Sequence, residues 1–425
     1  MNNLELLMPA GSSKKLDLAL DYGADAVYLG PPYYSLRARQ NDFQKDKLGD
    51  SIQKIHDQNK KVYMTLNIFS RNRKLGSFAQ DIKDFAYMKP DAFIISDPGL
   101  GMIASELAPE IPIHLSTQAN CMNWKSVKFW QQSLNVTRVI LSRELSVREI
   151  SEIHKRCPDI ELEAFVHGSI CIAYSGRCLL SSYMNNRDPN QGVCDNSCRE
   201  KFQISSKKAQ EFTLEDTINN PGEFYPLEED EHGTYVLNAK DLCMIEHLKE
   251  LADAGVVSFK VEGRTKSEFY SAMIARAYRG ALDDLNNGRP FNPYWKGELN
   301  KLTNRGYHTA FMFGDPKDGG QNYEYSNRLN QNVKLLGVVR ESSQSQPPLV
   351  EIKNKIACGQ KVRWLCPDGA EGVVEVEGIV SQKGQEKTEV HSGAGQFFIK
   401  TKTPFEAPLR SLLMTHEEKG SSTDG

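Results

Sequence analysis

Between residues 171 and 198 lie Cys171, Cys178, Cys194 and Cys198, four of the chain's nine cysteines. The intervals hold six, fifteen and three residues, and the stretch NNRDPNQG within them is polar. Four thiolates at one place can ligate zinc or an iron-sulfur cluster. Structural zinc usually sits between two short C-x₂₋₄-C knuckles; here only Cys194 and Cys198 form one, which favours iron-sulfur over zinc. Unligated buried thiols are the bland alternative, but so polar a loop gives them little apolar shelter. A lone nucleophilic cysteine, with His167 close to Cys171 as its base, is another, and it leaves three neighbours unexplained. Cys121, Cys157, Cys243, Cys358 and Cys366 are scattered and read as small buried apolar residues.

The rest of the composition does not call for disulfides. A chain of 425 residues, 39% hydrophobic and 25% charged, is ordinary for a soluble protein of two or three domains. There is no secretory leader pattern, and no uncharged apolar run approaches the ~18 residues of a membrane span. A cytoplasmic protein with no membrane contact is the expectation, and in that reducing compartment clustered thiols read as ligands or catalytic groups. A formal charge of −3 and a pI near 6.3 show no global basic bias, which counts against a nucleic-acid partner but leaves room for a local patch.

The elements that must position these thiols show a rhythm. Short β-rich runs at 4–10, 26–30, 61–67, 92–97, 111–118, 138–144, 161–168 and 257–263 alternate with amphipathic stretches. In SSKKLDLALDYG, for example, Leu16, Ala19 and Leu20 share a face between a Ser12 cap and a Gly23 stop. Strict alternation means parallel pairing through crossover helices, so the expected fold is α/β, a TIM-type eightfold β/α barrel over 1–295. A doubly wound open sheet is the runner-up. The gap at 169–256 places the cysteines in an insertion after strand seven, and its part from 205 to 233 reads as a polar surface excursion. Residues 330–415 carry short strands with regular turn signals, predicting a small β-barrel or sandwich. The tail 416–425 reads as disordered.

In a barrel the C-terminal strand tips converge on one mouth. Candidate catalytic groups there are His167, Glu262 and Arg264; candidate substrate-binding groups are Gln118, Arg143 and Lys266. Arginine offers a planar fork for carboxylate or phosphate, whereas the alternative for Arg143 and Arg264 is a rim ion-pair network with Glu144 and Glu262. Arg37 and Arg39 in YYSLRAR, like the cations of FSRNRK, sit among aromatics on loops after strands two and three, a composition suited to unpaired RNA bases and their phosphates, although such loops are often merely solvated.

The stretch EAFVHGSICIAYSGRCLLS, residues 163–181, resembles the signature of the collagenase-like peptidase family U32, with Glu163, Phe165, Gly168, Ser169, Cys171, Gly176, Cys178 and Ser181 in place. ELLMPAG, GADAVYLG, YSLRARQNDF, SDPGLGMI, HLSTQANCMNW, RVILSRELS, RDPNQGVCDNSCR and FKVEGRTKSEFY, with NYEY before the β module, resemble one branch of it, the prephenate-dependent tRNA hydroxylases. That resemblance implies oxygen-independent 5-hydroxylation of the wobble uridine of tRNA, with prephenate or a derived metabolite as cosubstrate. It implies a 4Fe-4S cluster on Cys171, Cys178, Cys194 and a fourth ligand, Cys198 by the C-x-x-x-C-R pattern or Cys243 in reserve. The partners implied are the tRNA anticodon loop and a redox or protein partner. The competing classes are a peptidase, for which the chain has neither H-E-x-x-H nor G-x-S-x-G, and a non-catalytic cluster-carrying subunit of an RNA-modifying complex.

Overall fold

The structure, a computed structural model, describes residues 4–36, 42–171, 173–185, 187–195, 197–199, 202–208, 211–216, 224–227, 239–314, 333–343, 346–403 and 407–416. Arg37, Arg39, the NYEY segment and the tail beyond residue 416 lie outside the described residues.

Eight parallel strands close on themselves. They are β1 (Glu5–Pro9), β2 (Ala26–Leu29), β3 (Lys61–Leu66), β4 (Ala92–Ile95), β5 (Ile113–Leu115), β6 (Val136–Ile140), β7 (Glu161–Gly168) and an eighth strand, Val256–Val261. Each pairs with the next, and the eighth pairs with both β7 (Ser258 opposite Glu163) and β1 (Ser258 opposite Glu5), so the sheet is a closed barrel and not an open one. The helices start where the sequence puts caps. Ser12 accepts from the Lys15 N–H ahead of Ser13–Asp21, Asp97 caps Pro98–Leu107, and Ser146 with Glu149 forms a capping box on Val147–Arg156. No helix among the described residues is long and apolar enough to cross a membrane.

The barrel interior departs from the apolar filling usual for this architecture. Alternation along the eighth strand turns Ser258, Lys260 and Glu262 inward. Lys260 Nζ lies 2.7 Å from Glu163 Oε1, and Arg138 reaches Glu163 (3.3 Å) and Glu5 (2.6 Å). Glu163 has no exposed surface, so this charged layer persists only because each member is paired. Burial opposes ionisation of Glu5, but Arg138, Tyr63 and Ser258 together hold its carboxyl below the usual range.

After Asn300 the chain builds an antiparallel module. Its strands Lys361–Leu365, Leu412–Thr415, Leu335–Glu341, Leu349–Ile352, Gln396–Thr401 and Glu371–Ser381 pair in that order, and the last returns to the first, closing a small barrel. It packs on the outside of the large barrel. Val338, Leu365, Leu412 and Met414 join the main core, Tyr22 Oη donates to the Leu365 carbonyl (3.0 Å), and Arg340 and Lys353 hold Glu268 at 2.8 and 3.0 Å.

The insertion carries strands of its own. Phe202–Lys208, Glu211–Asp216 and Phe224–Leu227 form a three-stranded antiparallel sheet, and Asp241–Cys243 runs antiparallel to β7. The described part of the polar excursion is a hairpin ladder, a pairing made by backbone groups.

Candidate functional site

The loop after β7 folds back over the barrel mouth, and three neighbouring strand ends pin it there. Gly168 turns the chain at φ +107°, where a Cβ would collide with the Glu262 carbonyl. The Ser175 N–H donates to Glu144 Oε1 (2.8 Å) beyond β6, and Gly176, at φ +73°, packs against the Gln118 backbone beyond β5 with no room for a side chain. Beyond β3, the Phe69 N–H donates to the Asn190 carbonyl (3.2 Å) and Gln191 Nε2 donates to the Phe69 carbonyl. Asn190 Nδ2 in turn donates to the Cys178 carbonyl (3.0 Å).

Beneath this loop is a cavity of about 340 Å³. Cys171, Cys178, Cys194 and Cys198 all line it, together with Gln118, Arg143, Glu262 and Arg264. The Cys178 thiol is pushed up by burial, with Cys171 and Cys194 close enough to add to the effect. Four soft sulfur donors lining one cavity suit an iron-sulfur cluster in chemistry. Among the described residues, however, no three His, Cys, Asp or Glu side chains are already gathered at the spacing of a metal site. Cys243 is elsewhere: it is buried opposite His167, with Lys296 Nζ 3.6 Å and Tyr278 Oη 3.9 Å from its sulfur. It does not line the cavity that the other four cysteines line.

The cations differ in what they are committed to. The Arg264 fork donates to Ser35 Oγ (2.5 Å), to Thr65 Oγ1 (3.3 Å) and to the Leu36 carbonyl, so it ties the loop after β2 to the mouth. Arg143 donates through Nη1 to the Ser169 carbonyl (2.7 Å) and stacks 3.9 Å from the Phe165 ring centre; Glu262 is 3.9 Å away. Its buried Nε has no hydrogen-bond partner among the described residues. Lys260, unforeseen in the sequence, lies on the floor, with its ammonium 4.4 Å from the Tyr28 ring centre and paired to Glu163. Full burial pulls its pKa below the usual lysine value, with Glu163 pulling the other way. The alternation Ser258, Lys260, Glu262 in VSFKVEG was the signal that could have found it. Of the expected rim network, Arg143 and Glu262 stand 3.9 Å apart, and Glu144 accepts from Ser175.

Two expected residues are not at the mouth. His167 is buried behind the sheet, with its ring against Tyr270, Tyr278 and Tyr307 and its Nδ1 3.2 Å from Tyr278 Oη. The reason is a bulge. Lys260 pairs with Phe165, but Val261 pairs with His167, so the extra residue turns the imidazole to the outer face. Burial lowers its pKa to about 3, leaving it neutral. Lys266 lies over Tyr270, 5.6 Å from the ring centre, and does not line the cavity.

Residues 11–322 match the signature of peptidase family U32. The chain belongs to that family. This U32 chain is 41% identical over 447 aligned positions to "tRNA hydroxylation protein P" of Escherichia coli strain K12, covering 99% of the chain and 98% of that protein. It is 42% identical over 430 positions to the protein of the same name from Haemophilus influenzae, covering 92% of each. A solved U32 peptidase structure aligns with 45% of this chain and 76% of its own, at 13% identity and a TM-score of 0.37.

Proposed function

We propose that this chain is a tRNA hydroxylase that installs the 5-hydroxyl of a wobble uridine without oxygen, using prephenate or a derived metabolite. The tRNA hydroxylation role comes from the names of relatives that match it end to end. Prephenate and the wobble position come from the motifs that resemble that branch of the family. The observation that carries the reading is that four cysteines and a cation-lined barrel floor share one cavity.

Cys171, Cys178, Cys194 and Cys198 would hold the 4Fe-4S cluster. Bound there, it would supply electrons or a site for the oxygen donor. Arg143, with its unpartnered Nε, presents a fork to a carboxylate, and Lys260 adds positive charge from below. Of the two carboxylates lining the cavity, Glu144 accepts from Ser175 and Glu262 is the one we assign to accept a proton. Arg264 holds the loop after β2 and is a positioning residue. A tRNA substrate implies a cytoplasmic location, and the chemistry calls for a redox partner.

The family's name, and relatives named "Uncharacterized protease MJ0090" (38% identical) and "Collagenase" (29% identical), offer a peptidase as the other reading, but the cavity does not favour it. Among the described residues that line the cavity there is no histidine to serve its serines and cysteines as an imidazole base. The test is mass spectrometry of digested tRNA from a strain deleted for this gene and for any oxygen-dependent enzyme making the same product. Nucleosides derived from 5-hydroxyuridine should vanish, return with the wild-type gene and stay absent with Cys171→Ala. An unchanged profile in the deletion strain would refute the reading.

A further inference from the structure

Two large aromatic side chains lie exposed at the mouth of the cavity. Tyr174 is 59% and Phe311 40% exposed, and both line the cavity while facing solvent. They come from segments far apart in sequence that are held against the same turn after β6. Next to Tyr174, the Ser175 N–H is bound by Glu144; next to Phe311, the Met312 carbonyl accepts from the Val147 N–H at 2.9 Å. The backbone before Phe311 is itself constrained. Ala310 adopts φ +50°, a conformation uncommon for alanine, and its N–H donates to His308 Nδ1 at 2.9 Å. The fold thus holds two apolar rings in water at the entrance to a cavity.

We infer that Tyr174 and Phe311 are a stacking pair that receives one nucleobase of the substrate RNA out of its loop and passes it into the cavity. This rests on the tRNA reading and adds to it the residues that capture the base. A cavity of about 340 Å³ is too small for a folded loop but has room for a base and its ribose. An enzyme that modifies a base takes it out of its stack and reads it between aromatic faces. Exposed Arg177, three residues beyond Tyr174, and exposed Arg71 and Arg73 at the start of the helix Asn72–Tyr87 provide positive charge for the flanking phosphates, with Arg71 3.9 Å from Asp188. A protein partner docking on the same rings would use their apolar area without regard to any one base.

The experiment uses the full chain, purified anaerobically, and two synthetic anticodon stem-loops, one with a wobble uridine and one abasic at that position. Wild type should bind the uridine hairpin about fivefold to a hundredfold more tightly than the abasic one, the range expected for stacking one base. Tyr174→Ala and Phe311→Ala should each lose most of that preference, while binding the abasic hairpin as wild type does. Tyr174→Phe and Phe311→Tyr, which keep the rings, should restore it. Alanine variants that weaken both hairpins equally, or that keep the wild-type preference, would overturn the pair and leave the tRNA reading standing. Wild type that binds neither hairpin would overturn both.

Discussion

The buried histidine makes an acid-sensitivity test of the fold around the site. His167 is 2% exposed and titrates near 3 in the folded chain, against 6.5 for a free ring. Between these values the unfolded chain binds a proton that the folded chain refuses, so stability contributed by this group is complete above 6.5 and is lost as pH falls toward 3. From pH 7 to pH 5 the loss is about 2 kcal/mol, from 1.36 kcal/mol per pH unit below the unfolded pKa. His167→Asn keeps a donor for Tyr278 Oη but no titrating ring. Whatever packing it forfeits is a constant offset, independent of pH. Urea unfolding followed by far-UV circular dichroism at pH 7, 6 and 5 should therefore show wild type losing about 2 kcal/mol more than His167→Asn across the range. Parallel pH curves for the two proteins would show that the imidazole is not held neutral behind the sheet, and the bulge argument would fail with it. Because the ring does not line the cavity, His167→Asn should also retain tRNA hydroxylation.

Two further outcomes are expected. Anaerobically purified protein should carry about four iron and four sulfide per chain; Cys171→Ala, Cys178→Ala, Cys194→Ala and Cys198→Ala should each abolish this on metal analysis while Cys243→Ala retains it, and stoichiometric zinc without iron would refute the cluster. Lys260→Met removes the 2.7 Å partner of Glu163 but leaves Arg138 at 3.3 Å, so it should cost about 2 to 4 kcal/mol in urea unfolding, somewhat less than an unpartnered buried charge; a loss below 0.5 kcal/mol would mean that the charged layer is not coupled in this way.

The barrel was legible in the sequence because its signal is local. Each strand announces itself as a short apolar run and each helix by its cap, and strict alternation leaves parallel closure as the simplest arrangement. The location of the cysteines was legible for the same reason: a loop that follows a barrel strand lies at the mouth. The hairpin in the insertion was hidden by its polar residues, and the Asp241–Cys243 strand by its brevity, since three residues show no period.

Which residues face the cavity is a different kind of information. One extra residue in β7 turns His167 away from the mouth, and no local pattern around HGSIC marks that bulge. Cys198 and Cys243 are equally plausible ligands by type, but only the path of the chain through the insertion puts one in the cavity and the other behind the sheet. Arg264 and Arg143 looked alike in sequence, and differ because Ser35, Thr65 and Leu36 converge on the first. Tyr174 and Phe311 lie 137 positions apart, and only the fold brings both to one turn. The sequence by itself determined the elements of the large barrel and the chemical inventory, since both depend on neighbours within a few residues. Tertiary structure decided orientation and partnership, which depend on where distant strands place their side chains.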